Sequence, residues 1–381
     1  MQPLFDRRLR ANPDYELVPR DASAQCDHAE PRTASRDQPP YGHLRPRRSS
    51  SLVLREVSPD IALLFLALQR GGRVPDYFRS QFGRSIESQL TRLVLDGVLE
   101  VEHEGDFVCG PGAVAPLPGK EAYSPKGRIA ALSIEALRYG EALGALGIPE
   151  MTRRLYDFGR RPPTPAQKRA FHQSGIDAAA GALATARRAL DRHWAPARSM
   201  DSYWIRWRPI KAGDPGEPTR FKLYASPALA DVAEAFHAAA EILGQSPGVR
   251  GLKLGRGLPG LTRPDKLVAY FSRRDDLQEA GWRLHQRLQA CRVQGVPFTA
   301  ELSADGLLSW GADPPRTGPG QPASWRFWLA GKLAMHLETA RKAGVAGPIW
   351  PIVLDRLRAD GVNPQTWVPA SDLWPSSGIA A

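Results

Sequence analysis

The chain is poor in the residues that carry the most recognisable chemistries. Only three of its 381 residues are cysteines, Cys26, Cys109 and Cys291. They are too few for a disulfide framework and share no metal-ligand spacing, so a disulfide-rich secreted scaffold is excluded and a reducing compartment is expected. The eight histidines never fall four residues apart, which removes the helical zinc motif. The longest apolar run, 61–68, is far too short to span a bilayer. The opening MQPLFDRRLRANPDYELVPR has no apolar core of a signal peptide, so none is expected and the location expected is cytoplasmic. Neither G-x-x-x-x-G-K-[ST] nor G-x-S-x-G occurs, and no internal repeat is visible. Lysine is also scarce. There are nine among 51 basic residues, so a chain that uses arginine almost everywhere retains Lys211, Lys222, Lys253 and Lys266 within 56 positions, which marks them for chemistry.

What is present is net positive charge, +11, and 35 residues each of glycine and proline. The charge points to an anionic partner. Residues 1–50 are polar and basic without a sustained apolar period, and read as a disordered basic tail. Ser58 as N-cap, Pro59 behind it and Gly71-Gly72 as a stop delimit a helix. A short helix covers 74–82, and a third places Ile86, Leu90, Leu93 and Val94 on one face. Two short strands then turn at His103-Glu104-Gly105-Asp106. This order makes 51–115 a winged-helix-like region. Its wing carries Glu100, Glu102, Glu104 and Asp106, the wrong sign for phosphate, so nucleic acid is not the partner expected; the region is expected either to dock a leader peptide or the kinase, by strand addition at the wing, or to serve a purely structural role.

A Pro/Gly-rich connector leads into helices at 128–146 and 165–193. From residue 202 the period changes to two, with strands expected in YWIRWRPI, RFKLYAS, VRGLKLG, KLVAYFS, PFTAEL and LLSWGAD. Helices lie at about 227–244 and 274–292, and a closing helix starts at SWRFW before a Pro/Trp-rich tail. The fold class expected is α+β, with a largely antiparallel sheet and packed helices over 116–381.

Strand alternation sorts the side chains of that sheet. In RFKLYAS, Phe221, Leu223 and Ala225 share the apolar face, and Arg220, Lys222 and Tyr224 the other. In VRGLKLG, Lys253 points away from Leu252 and Leu254. Lys222, Tyr224 and Lys253 therefore converge if both strands join one sheet. Arg256, Arg263 and Lys266 lie in the following GRGLPGLTRPDK segment. Its glycines, Gly255, Gly257 and Gly260, satisfy G-x-G-x-x-G, but Pro259 and Pro264 are expected to forbid the helix a dinucleotide site needs. The segment reads instead as a basic lid over an anion.

The blocks RFKLYAS, GLKLGRGLPGLTRPDKLVAYF, GVPFTAELSADGLLSWGADPP and SWRFW resemble the HopA-type effector family. That family includes HopA-like phosphoserine/phosphothreonine lyases of class V lanthipeptide and thioamitide biosynthesis. The resemblance spans roughly 120–335 and implies a fold similar to the phosphothreonine lyases. It also implies β-elimination of phosphate from a phosphorylated ribosomal precursor peptide, with a separate kinase supplying the phosphate and no metal or organic cofactor. By order and spacing Lys253 is similar to the base lysine and Lys222 to the lysine preceding it. Arg263 and Arg326 resemble the arginines that clamp phosphate. The position of the family's proton-donating histidine is Tyr224 here, which opens the identity of the acid. Lys266 and Arg256 are further candidates to contact the anion. Arg326 has a structural alternative, as an arginine stacked between Trp325 and Trp328. Two other functions are carried forward: a phosphopeptide-binding module without catalysis, and a winged-helix DNA-binding regulator.

Overall fold

The computed structural model describes residues 3–20, 41–47, 54–83, 86–109, 113, 123–144, 146–161, 164–165, 168–169, 178–197, 203–211, 219–314, 324–342, 347–370 and 373. The expected connector at 110–127 and the middle of the expected helix 165–193 lie mostly outside them. The chain divides into two compact units, residues 1–123 with 336–361, and residues 124–335 with 362–381.

In the first unit, strands β1 (Arg8–Ala11), β2 (Tyr15–Pro19), β3 (Gly42–Pro46) and β4 (Arg55–Val57) precede the helix Pro59–Ala67. After β5 (Gly72–Arg73) come the helices Asp76–Phe82 and Ile86–Leu95, then β6 (Leu99–His103) and β7 (Asp106–Val108). Two sheets form, ordered β5-β1-β6-β7 and β2-β3-β4. The helix start is as read: Ser58 Oγ accepts from Ile61 N at 3.4 Å, and Pro59 fills the first turn. The wing turn puts Glu104 and Gly105 at φ 53° and 91°, as a two-residue hairpin turn demands.

The tail expected to be disordered is a correction. Its described parts form three strands, and Leu4, Leu9, Tyr15 and Leu44 are buried in the unit's core. The cause is pairing with distant acidic residues. Arg10 donates to Glu100 at 2.7 Å and Arg8 to Glu102 at 3.1 Å across the β1–β6 register, while Glu87 accepts from Leu4 N and Phe5 N. The carboxylates that make the wing unfit for DNA are thus used to seat the basic N-terminal strand. The Pro/Trp-rich tail is corrected too. Pro351 occupies the first turn of a helix, Trp350–Ala359, where a missing N–H costs nothing. Arg356 of that helix pairs with Asp96 at 2.7 Å. Burial pushes the Asp96 carboxyl up, but Arg55, Arg356 and Arg92 outweigh it and hold it below its ordinary range.

The second unit is built on one seven-stranded sheet, every neighbouring pair antiparallel. It comprises β8 (Trp194–Ala197), β9 (Trp204–Pro209), β10 (Phe221–Ala225), β11 (Val249–Gly255), β12 (Leu267–Phe271), β13 (Ala300–Glu301) and β14 (Leu308–Ala312). The order is β13-β14-β10-β12-β11-β9-β8. The apolar face, carrying Phe221, Leu223, Leu252, Leu254, Ala269 and Phe271, packs against the helices Val232–Gly244 and Arg274–Leu288. The α+β class is as expected. Arg128–Leu146 is not one helix: it ends at Ala142, and a separate helix, Ile148–Asp157, follows with Pro149 in its first turn.

The segment expected to be a lid is also corrected. Gly257–Leu261 is a single helical turn. Pro259 is its third residue, within the first turn, where no intrahelical N–H bond is lost. Gly255 and Gly260 let this turn press on the end of β11. A Cβ on Gly255 would lie 2.4 Å from the Gly260 carbonyl oxygen and 2.5 Å from its carbon. Neither partner can swing aside, because both are backbone. Gly255→Ala is therefore expected to destabilise this unit by about 1–3 kcal/mol, read as a lowered thermal midpoint, whereas Gly181→Ala, which meets nothing within 4 Å, should not. Among the described residues no helix is long and apolar enough to cross a membrane.

Candidate active site

Register places the polar residues of the sheet in rows. Lys253 of β11 stands opposite Val268 of β12 and Arg206 of β9, and Val268 stands opposite Tyr224 of β10. One step along, Tyr270 stands opposite Lys222. Lys222, Tyr224 and Lys253 therefore share one face, with Lys253 and Tyr224 separated at Cα by two strand spacings, roughly 10 Å. The period-two reading brought these three together for the right reason.

Each is held differently. Lys222 is buried, with Nζ 2.6 Å from Asp313 Oδ2 and 5.4 Å from the Tyr270 ring centroid. Tyr224 is buried in a small apolar cluster with Val268 and Val296, and burial, reinforced by Asp313, raises its hydroxyl well above the usual phenol value. It stays protonated and able to donate. Lys253 is half-buried, with Nζ 4.0 Å from the Trp204 ring centroid and 5.6 Å from that of Tyr270. Burial lowers its ammonium to about 8; Asp265 and Asp313 oppose this, while Arg206 and Arg263 push the same way.

The two arginines converge on one carboxylate. Arg263 donates from Nε to Asp265 Oδ1 at 2.9 Å and from Nη2 to Oδ2 at 3.1 Å. A third bond runs from the same Nη2 to the Tyr156 hydroxyl at 3.1 Å. Arg326, only 1% exposed, lies 2.9 Å from Asp265 Oδ2 through Nη1. It also donates to the carbonyls of Pro297 (3.1 Å) and Tyr156 (2.9 Å). Burial alone would push the Asp265 carboxyl up, but Arg326 and Arg263 outweigh it and hold it far below the carboxylate range. Tyr156 is the platform beneath both guanidiniums, at 5.4 and 4.7 Å, and burial lifts its hydroxyl to about 12. The stacking alternative for Arg326 is corrected in its partner: Trp325 and Trp328 stack on each other at 5.5 Å, and Arg326 stacks on Tyr156.

Two candidates lie apart from this cluster. Lys266 is wholly buried, its Nζ bonded to the Pro227 carbonyl (2.8 Å) and Gln294 Oε1 (2.6 Å). Burial lowers it to about 7. It ties two loops together at the end of β12. Arg256 is exposed and lines a groove with Trp204 and Arg206. Five side chains of the site were not singled out in the sequence: Tyr156, Trp204, Arg206, Asp265 and Asp313. The RLYD run carried a signal for Tyr156, since Pro149, Glu150, Met151 and Leu155 mark a helix start and an apolar face. The two aspartates flank strands in loops, where no periodicity exists to point them. Among the described residues no three His, Cys, Asp or Glu side chains come together to hold a metal.

Neither a family model nor a curated protein matches this sequence. Solved structures of similar fold do. An effector protein from Pseudomonas syringae pv. syringae strain 61 is 14% identical, over 65% of this chain and 99% of that one, with a TM-score of 0.41. The phosphothreonine lyase SpvC, an effector protein from Salmonella, is 13% identical over 47% of this chain and 90% of its own, with a TM-score of 0.27. The type III effector/phosphothreonine lyase OspF from Shigella flexneri is 11% identical over 46% and 90%, at 0.26. Overlaps this loose assign no residue a role, and function must be argued from the side chains themselves.

Proposed function

We propose that the second unit is a phosphoserine/phosphothreonine lyase acting on a peptide. The observation that carries this reading is Lys253: a half-buried amine seated on an indole, beside Arg206 and Arg263, with its ammonium brought down to about 8. Such an amine is neutral in roughly a tenth of molecules at pH 7, against fewer than about one in a thousand for an ordinary lysine. The cations around it are what a phosphate dianion needs. Arg263 offers a planar guanidinium already oriented by Asp265, and Lys222 a compact ammonium.

In the elimination, Lys253 Nζ takes the α-proton of the phosphorylated residue, and the C–H pair becomes the Cα=Cβ bond. The Cβ–O bond breaks, and its electrons leave with the phosphate. Tyr224 lies across Val268 from the base and donates its proton, or a hydrogen bond, to the departing oxygen. Lys222 and Arg263 hold the charge that develops there. Arg326 and Tyr156 act as positioning residues through Asp265 and Arg263, since the guanidinium of Arg326 is engaged by Asp265 and two carbonyls. The finer reading is that the substrate is a ribosomal precursor peptide phosphorylated by a separate kinase. It is supported by the sequence resemblance.

The test is a mass spectrum of a phosphothreonine peptide incubated with the protein. Loss of one phosphoric acid establishes the lyase; a peptide that binds and keeps its phosphate leaves a binding module. The pH dependence follows from the base. Raising pH deprotonates free Lys253, so kcat/KM is expected to climb about tenfold per unit and level off near pH 8. The second ionisation of the phosphate, near 6, lies below that window. A profile that falls between pH 7 and 8 would exclude a neutral lysine as base.

A further inference from the structure

We infer that Phe327 reads the substrate: its exposed ring is the seat for an apolar side chain two positions from the phosphorylated residue. This rests on the lyase reading and deepens it, by naming a class of sequence around the phosphate. A single exposed apolar ring is ordinary on a protein surface. What sets this one apart is where the chain holds it.

Phe327 is the third residue of the helix Trp325–Lys342. The two residues before it are buried and tied to the site. Trp325 N donates to Asp313 Oδ1 at 2.9 Å, and the other oxygen of that carboxylate meets Lys222 Nζ. Arg326 meets Asp265, the carboxylate that orients Arg263. Ser324 Oγ accepts from Phe327 N at 3.4 Å, a cap on the helix start. The backbone at Phe327 is therefore fixed by the counter-ions of the site itself, while its side chain is left 50% exposed.

The ring's contact on the protein side leads to the phosphate clamp. It meets the Tyr156 ring edge to face, with centroids 5.6 Å apart and planes at 78°. Tyr156 is held in place by its hydroxyl, which donates to Asp265 Oδ2 at 3.2 Å and accepts from Arg263 Nη2 at 3.1 Å. The Arg263 guanidinium lies 5.4 Å from the Tyr156 ring and 5.2 Å from that of Trp204, which is itself 4.0 Å from Lys253 Nζ. Phe327 is thus no more than two contact lengths from the guanidinium that holds the phosphate. Tyr156, Arg263 and Lys253 are all partly exposed. An extended peptide advances about 3.3 Å per residue and points alternate side chains the same way. With the phosphorylated side chain on Arg263 and Lys222, the side chain two positions along is the one directed at Phe327. A phenyl ring offers neither charge nor a hydrogen-bond donor, so the side chain that gains is apolar, an aromatic one most of all.

The experiment uses four fluorescein-labelled peptides of glycine, serine and asparagine around a phosphonate analogue of phosphothreonine, in which a methylene replaces the ester oxygen so that nothing is eliminated. One phenylalanine stands two residues before the analogue, two residues after it, directly beside it, or nowhere. Fluorescence anisotropy with the full chain is expected to show one of the first two binding roughly fivefold tighter than the peptide without phenylalanine. Phe327→Ser should erase that gain, and Phe327→Leu, which keeps an apolar side chain against Tyr156, should retain part of it. Equal binding of all four peptides by the wild type overturns the contact. So does a gain that survives Phe327→Ser while all four peptides weaken alike, since the ring would then only brace Tyr156. Elimination from the matching phosphothreonine peptides is scored separately. Elimination without positional preference fails the Phe327 contact alone; a preference lost in Phe327→Ser, without elimination, fails the lyase reading and keeps the contact as part of a phosphopeptide site.

Discussion

Lys253→Met is expected to lower the elimination rate by about a thousandfold, the central value for removing a general base, while the protein stays folded. Methionine keeps an unbranched chain on the Trp204 ring and removes an amine whose burial already disfavours its charge. Loss of rate alone does not separate a base from a phosphate-holding cation, and Lys253→Arg does. Arginine preserves positive charge and stacks on indole as well or better, but it does not give up its proton in this pH range. If Lys253 is the base, the arginine variant is as inactive as the methionine one, and the pH dependence disappears from the residual rate. Should Lys253→Arg turn over within a few-fold of wild type, the amine serves only as a cation and the base lies elsewhere, with Lys222 the next group to change. Single-turnover mass spectrometry with excess enzyme measures the chemical step in all three proteins.

The second large effect belongs to a residue that need not touch the substrate. Asp265→Ala is expected to cost about 3–5 kcal/mol, because it leaves two guanidiniums in a buried site without their counter-charge. With about 2–4 °C per kcal/mol in a domain of this size, the thermal midpoint should fall by roughly 10 °C. Arg263 would lose both its bonds to Asp265 and keep only the one to the Tyr156 hydroxyl among those described, and Arg326 would lose the Asp265 carboxylate. Activity should fall even at temperatures where the variant is folded, through a higher KM for phosphopeptide. Asp265→Asn keeps the volume and one acceptor and should fall between the two. A variant with unchanged midpoint and unchanged KM would show that the arginines are held by Tyr156 and the Pro297 carbonyl alone. Scanning calorimetry and steady-state kinetics on the same preparations decide it.

The placing of Lys253, Lys222 and Tyr224 on one face was legible because they lie on a two-faced sheet. Alternation in RFKLYAS and VRGLKLG assigns each side chain a face before any fold is known, and β12, between the two strands, preserves that assignment. The counter-ions were not legible. Asp265 follows Pro264 in a loop and Asp313 stands just beyond β14, so only the fold shows that they face Arg263 and Lys222. Arg326 looked like a substrate ligand by spacing, yet its donors meet Asp265 and two carbonyls. The N-terminal residues failed for a related reason. A basic, weakly periodic stretch lacks a core of its own, and only its pairing with Glu87, Glu100 and Glu102, more than eighty positions on, gives it one. Pro259 misled because proline was weighed as a helix breaker without regard to its place in the first turn.

The strand order has a kinetic corollary. β11 and β12 are joined by a short connection and can pair early, bringing Lys253 and Val268 together locally. Lys222 and Tyr224 arrive only when β10 closes on the far edge of β12, and Asp313 only when β14 closes on β10. These are long-range closures, of the kind that slows β-rich chains. Lys253 and Asp265 are therefore brought together before Lys222, Tyr224 and Asp313 reach them. In a refolding time course, recovery of turnover should trail the return of the sheet's circular dichroism.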